Sequence, residues 1–255
     1  MKIYNAFGIT PTNTHVSAGS DYYIPNITTD KQKKLAFEAF KKSYNKTDDE
    51  LNEIIDIFSK YVTDEHIYNA VHLYLALYSP YLNNLKDNVS GSIEYFMARN
   101  YRYDGKKKVV GVKLDLNDTL FINSGIKIAL DTILSDNEVY PFQNNSIQQL
   151  RSLGIGIAGL YVNKSGKGNA GWDVRACLVD EDYSGYVHLS LAYTKNVIDN
   201  NENQSIVYCG DKLTQMMLIP VFHTKYEEIS EEEYNDIMSK SNRGDSGFGS
   251  SDIKH

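Results

Sequence analysis

The chain has 255 residues, enough for one large domain or nearly two ordinary ones at roughly 150 residues each. A hydrophobic fraction of 42% and a charged fraction of 23% are ordinary globular values, which excludes collagen, coiled coil and wholesale disorder. Lys plus Arg is 26 against 33 Asp plus Glu, and the formal net charge of −7 argues against bulk nucleic-acid binding while leaving room for one small phosphate ligand.

In chain order, residues 1–29 hold turn-forming clusters and a short run, Tyr22-Tyr23-Ile24, stopped by Pro25, which predicts a strand. From about 30 to 103 the character turns helical. Leu35, Ala36, Ala39 and Phe40 mark a first helix. Thr47-Asp48-Asp49-Glu50 is a capping box, and Leu51, Ile54, Ile55, Phe58 and Val62 follow it as one apolar stripe. Ile67, Ala70, Val71, Tyr74, Leu75 and Tyr78 repeat the pattern until Pro80, and Ile93, Phe96 and Met97 mark a fourth helix. These stripes either pack onto a β core or meet a protein partner. From about 108 onward short strands take over: Val109–Val112, Leu120–Ile122, Ile126–Ala129, Val187–Leu191 and Met216–Val221, separated by Gly, Asn and Asp turns. Residues 131–162 read as a long loop, Glu227–Glu233 as a solvated face or short helix, and the last 14 residues as a mobile Gly- and Ser-rich tail.

No run of 18 apolar residues occurs, so no membrane-spanning helix is expected. The opening residues lack a secretory apolar stretch, and Cys177 and Cys209 make no disulfide framework, so a reducing cytoplasm is the expected setting. Both cysteines and Trp172 read as packing residues. The six histidines show no metal-ligand spacing, and His66 and His72 read as partly buried or surface residues.

Five segments carry candidate chemistry. Ala18-Gly19-Ser20-Asp21 reads alone as a turn before a strand. Asn163 to Asn169, with Lys164, Ser165, Gly166 and Lys167, is a Gly-rich stretch whose backbone N–H groups suit phosphate oxygens, though it is not a Walker loop. Trp172 to Gly185 ends in Asp180-Glu181-Asp182-Tyr183, where crowded carboxylates can supply a general base or stand as an acidic hairpin turn. Gly210 to Gln215 is a turn entering the last strand. Asn242 to Ser251 holds a cation and a ring, Arg243 and Phe248, in a flexible tail suited to be a lid.

In this order the five segments resemble the motifs of the trimeric dUTP pyrophosphatase (dUTPase) family: Ala-Gly-x-Asp, Arg-Ser-Gly, Gly-x-Ile-Asp-x-Asp-Tyr-x-Gly, Gly-x-x-x-x-Gln and Arg-Gly-x-Gly-Phe-Gly-Ser. Ser124-Gly125 resembles the family's Thr-Gly strand between the first two. Lys164 stands where the family has Arg, and Cys177 and Arg175 stand where it has smaller residues. The resemblance implies a mainly β, jelly-roll (β-clip) subunit split into residues 1–29 and 104–255, with an inserted α-helical subdomain at 30–103.

It also implies hydrolysis of dUTP to dUMP and pyrophosphate, which cleanses the nucleotide pool and supplies a dTTP precursor. Asp180 matches the catalytic base that activates water against the α-phosphate. Tyr183 matches the ring under the deoxyribose, which leaves no room for a 2′-hydroxyl. Lys164, Ser165 and Gly166 match the phosphate-binding loop, Gln215 a side chain facing the phosphates, and Val179 a residue lining the substrate site. Arg243, Phe248, Gly249 and Ser250 match the tail that clamps the γ-phosphate and stacks on uracil. Asp21 matches the carboxylate that meets the waters of a phosphate-bound Mg²⁺. The resemblance implies a homotrimer in the cytoplasm, that of the host for a viral or phage gene. Two rival readings stand beside it: a dCTP deaminase or other deoxypyrimidine triphosphate hydrolase of the same fold, and a nucleotide-switched regulatory protein acting through the helical block.

Overall fold

A computed structural model describes residues 2–13, 19–78, 89–130, 149, 152–195 and 202–239. The described chain falls into two units, one ending at Phe222 and one beginning at His223. Four helices lie in the first unit between residues 30 and 99: α1 (Asp30–Ser43), α2 (Asp48–Phe58), α3 (Ile67–Tyr78) and α4 (Val89–Arg99). The capping box forms as expected, with Glu50 N donating to Thr47 Oγ1 at 3.2 Å and Thr47 N donating to Glu50 at 2.8 Å. Thr29 and Gln32 build a second box at the start of α1. The stripe read through Val62 ends sooner, because α2 stops at Phe58 and Val62 follows a turn.

The strands are β1 (Lys2–Asn5), β2 (Ser20–Tyr23), β3 (Tyr101–Asp104), β4 (Val109–Lys113), β5 (Thr119–Asn123), β6 (Ile126–Ala129), β7 (Ile155–Asn163), β8 (Trp172–Ala176), β9 (Leu178–Val179), β10 (His188–Tyr193), β11 (Ile206–Tyr208) and β12 (Lys212–Phe222). They form four antiparallel sheets, ordered β2-β12-β7-β9, β5-β10-β8, β11-β4-β3 and β1-β6. The expectation of a mainly β chain with a helical block holds for these elements.

The helical stripes are buried in the same core as the sheets. In α3 every residue from Asn69 to Leu77 is buried, so this helix runs through the core rather than lying on it. It packs on β4 and β5. A hydrogen-bonded seam reinforces the join: Tyr44 Oη donates to Phe121 O at 3.1 Å and accepts from Asn123 N at 3.2 Å, while Asn123 Nδ2 donates to Ser43 Oγ at 2.7 Å.

Three expectations are corrected. Residues 155–163, read as the end of a long loop, form β7, which pairs with β12 from Asn163↔Thr214 to Ile155↔Phe222 and with β9 on its other edge. Its glycines hide the strand pattern. A Cβ on Gly159 would lie 2.8 Å from Met216 Sδ, so the glycine leaves room for that side chain while weakening the strand signal. His72 is wholly buried, edge-on to Phe7 and stacked on Phe40 at 4.8 Å. Cys177 is exposed, whereas Cys209 and Trp172 pack in the core as expected.

Within the described part of the second unit, Glu231–Met238 form a short exposed helix, α6, capped by Ser230 Oγ accepting from Glu233 N at 3.1 Å. The acidic run thus begins as coil and ends as helix.

Candidate active site

Three of the five segments meet on one face of the β2-β12-β7-β9 sheet. Asp21 on β2 pairs in register with Gln215 on β12, which pairs with Val162 on β7, so β7 delivers Lys164 beside both. Lys164 Nζ lies 2.6 Å from Asp21 Oδ1, and Gln215 Nε2 donates to the same oxygen at 3.1 Å. Lys212 Nζ approaches the other oxygen, Oδ2, at 2.9 Å. Gly19 sits where β2 meets β12 so closely that a Cβ would lie 2.7 Å from Met216 O, which explains a glycine just before Asp21.

Asp21 is buried, and burial alone would raise its pKa; hydrogen bonds from Lys164, Lys212 and Gln215 outweigh that and hold it at about 2. One fixed carboxylate shared by two ammonium groups leaves a local surplus of positive charge. A second pair, Lys167 Nζ to Asp211 Oδ2 at 3.4 Å, joins the same two segments. Sequence reasoning missed Lys212, because the Gly-x-x-x-x-Gln pattern specifies nothing at that position.

The Gly-rich stretch read as a loop is corrected to a single turn of helix, α5 (Ser165–Asn169), with Lys164 at its N-cap position. Ser165 and Gly166 are exposed, and a Cβ on Gly166 would meet nothing within 4 Å.

Asp180 lies elsewhere. It follows β9, whose Val179 pairs with Gly159 on the far edge of the sheet. Three strand spacings and three residues of offset separate Val179 from Asp21, roughly 17 Å at ordinary sheet dimensions. Asp180 is exposed in the turn that Tyr183 N closes on Asp180 O at 3.2 Å. Tyr183 is half-exposed, and its Oη donates to Tyr186 O at 2.8 Å, which folds the ring back over Gly185. A Cβ there would lie 2.5 Å from that hydroxyl. The same turn borders an open cavity of about 550 Å³, lined by Lys2, Tyr4, Lys127, Asp182, Tyr183 and Ser184 among others.

Arg175 is exposed and lies 3.7 Å from Asp173. Arg243, Phe248, Gly249 and Ser250 lie outside the described residues. Among the described residues no group of three or more His, Cys, Asp or Glu side chains could enclose a metal ion, and no helix is long and apolar enough to cross a membrane.

Comparison with known proteins finds one family. The dUTPase family model matches residues 126–252. A deoxyuridine 5′-triphosphate nucleotidohydrolase of vaccinia virus (strain Copenhagen) is 29% identical over 91 residues, covering 36% of this chain and 54% of that protein. One from Legionella pneumophila (strain Paris) is 32% identical over 74 residues, covering 29% and 41%. The chain thus spans about half the length of the curated relatives it matches. A solved dUTPase of Staphylococcus bacteriophage 80alpha, bound to dUPNHPP, aligns with a TM-score of 0.38 and 15% identity over 61% of this chain and 92% of that one. Across residues 126–252 the chain carries a dUTPase-family domain.

Proposed function

We propose that the chain hydrolyses dUTP to dUMP and pyrophosphate. The observation that carries this reading is the meeting of Asp21, Lys164, Lys212 and Gln215, drawn from three distant segments, at a cationic patch beside the exposed Ser165 and Gly166. A triphosphate carries about four negative charges, and such a patch offsets charge that builds during attack at phosphorus.

Asp180 is the base in this reading. Its carboxylate takes a proton from a water whose oxygen bonds to the α-phosphorus; the bond from that phosphorus to the α,β-bridging oxygen breaks, and pyrophosphate leaves. Tyr183 lies under the deoxyribose, held by its bond to Tyr186 O, and Val179 lines the same pocket. Arg243 and Phe248, with Gly249 and Ser250, are in this reading the residues that recognise the γ-phosphate and uracil; they lie outside the described residues.

Because Asp180 and the Asp21 cluster stand on opposite edges of one sheet, a complete site takes Asp180 from one subunit and the cluster from another. A homotrimer supplies that arrangement. The helical block, residues 30–103, is an insertion within a catalytic domain split into 1–29 and 104–255.

Both Asp21 oxygens are taken by Lys164, Gln215 and Lys212, so a direct Mg²⁺ site does not fit this carboxylate, and a Mg²⁺ carried by the nucleotide's phosphates would meet it only through water. Asp21 is a single ionised carboxylate already shared by two lysines, and Mg²⁺ favours retained waters over an all-protein cage. Held by the phosphates, the ion would supply further offset of their charge.

Pyrophosphate release from dUTP, compared with dCTP, dTTP and UTP, tests the reading. Preference for dUTP is expected; activity on none of the four overturns it. Ammonia release from dCTP transfers the chain to the deaminase alternative.

A further inference from the structure

Between β4 and β5 the chain reverses through Asp115-Leu116-Asn117-Asp118, with Asn117 at a φ of 68°, which asparagine tolerates better than most residues. Asp118 N donates to Asp115 O at 3.1 Å, and Asp115 N donates to Asp118 Oδ2 at 2.8 Å, so the turn holds the Asp118 carboxyl in place. The helical block meets this turn. Tyr95 and Arg99 stand one helical turn apart on α4, and Leu77 and Tyr78 end α3. These four residues, with Asp115 and Asp118, border a cavity of about 300 Å³.

The donors around the cavity are largely engaged in its own wall. Arg99 Nε and Nη2 lie 2.7 and 2.6 Å from Asp115 Oδ2, and Arg99 Nη1 donates to Tyr95 Oη. Tyr78 Oη donates to Asn100 Oδ1 at 2.9 Å. What stays open is acceptor capacity: Asp115 Oδ1 and Asp118 Oδ1 have no partner among the described residues. One guanidinium faces two carboxylates, which leaves the lining with one negative charge in surplus. Asp118 is half-buried, and burial raises its pKa, so its ionised form gains most from a cation placed beside it.

An ammonium group carries three donors and no acceptor, the complement of those open oxygens. Leu77 and the rings of Tyr78 and Tyr95 give the rest of the wall an apolar character. Such a wall shelters an alkyl chain and offers nothing to a hydrated metal ion. The net charge of −7 raises the local concentration of cations around the whole chain.

We propose that this cavity binds a small aliphatic amine, with the ammonium group between Asp115 and Asp118 and the alkyl chain along Leu77, Tyr78 and Tyr95. The site shares no residue with the Asp21 cluster or the Asp180 turn, and its ligand is independent of the nucleotide. It joins the helical block to the β4–β5 turn.

The experiment titrates putrescine into the full chain by calorimetry, with butanediol as the uncharged control and Mg²⁺ as the metal alternative. Saturable binding of one putrescine per chain is expected, with none of the diol. Asp118→Asn keeps an acceptor for Asp115 N and removes only the charge, and it should weaken putrescine binding about tenfold. Arg99→Gln removes the competing cation and should tighten binding at least about threefold. Circular dichroism verifies that each variant folds. Where Asp118→Asn fails to fold, Arg99→Gln decides, and unchanged or weaker binding overturns the proposal. No saturable putrescine binding up to about 10 mM overturns it as well. So does equal affinity in folded Asp118→Asn, which marks a diffuse attraction to an acidic protein, or Mg²⁺ binding that excludes the amine.

Discussion

Lys164 places its ammonium 2.6 Å from the carboxylate of Asp21, 143 residues earlier in the chain, at the join of three strands. That pair fixes the charge of Asp21 across the whole neutral range. Folded, its pKa is about 2 against an ordinary 3.8, so its stabilising effect is complete above pH 3.8 and is lost as pH falls through about 2. Asp21→Asn should flatten acid unfolding in that window and leave the profile above pH 4 unchanged in shape, as followed by circular dichroism.

His72 should govern a separate, higher limb of the acid profile. It is wholly buried, neither ring nitrogen has a partner among the described residues, and the described groups around it are Phe7, Phe40, Tyr44 and His188. Burial, and then the neighbouring His188, lower its pKa from 6.5 to about 3. The unfolded state therefore binds the proton first. Stability is full above pH 6.5 and falls by about 1.4 kcal/mol per pH unit at most between 6.5 and 3. His72→Leu should remove most of that slope in urea melts at pH 7 and pH 5, while the lowered pKa of His188 leaves a smaller slope of the same sign.

Tyr44→Phe removes one hydroxyl that both donates to Phe121 O and receives Asn123 N, in a wholly buried setting. The two backbone groups lose their partner, and a destabilisation of about 1–3 kcal/mol is expected from urea denaturation. An unchanged midpoint would mean that the helical block docks through its apolar core alone.

Asp180→Asn should lower dUTP turnover by about 10³-fold, the usual weight of a general base. Because Asp180 is exposed in a turn, the melting temperature should not move. A variant with full turnover would assign the base elsewhere.

Much of this was legible from the residues. The Thr47–Glu50 box forms at the expected residues, and the stripe from Ile67 to Tyr78 is helical as expected, while Pro80 lies outside the described residues. The order of the motifs foretold that Asp21, Lys164 and Gln215 belong together, and the sheet register brings them together. What stayed hidden depends on long-range packing. β7 looks like loop because Gly156, Ala158 and Gly159 suit a strand flanked on both edges, not an isolated one. The burial of His72 leaves no trace in a helix that is apolar on every side. Lys212 is aimed by a bulge that only pairing with β2 creates.

The most direct test of a shared site uses two chains that are each disabled. Asp21→Asn and Asp180→Asn are expected to be nearly inactive alone on dUTP. Co-expressed, they are expected on this account to form mixed trimers in which some sites draw Asp21 from one variant and Asp180 from the other. Pyrophosphate release should then recover to about a quarter of wild type, the statistical share of intact sites in a randomly mixed trimer. Mixed trimers no more active than either parent would contradict a site built between subunits.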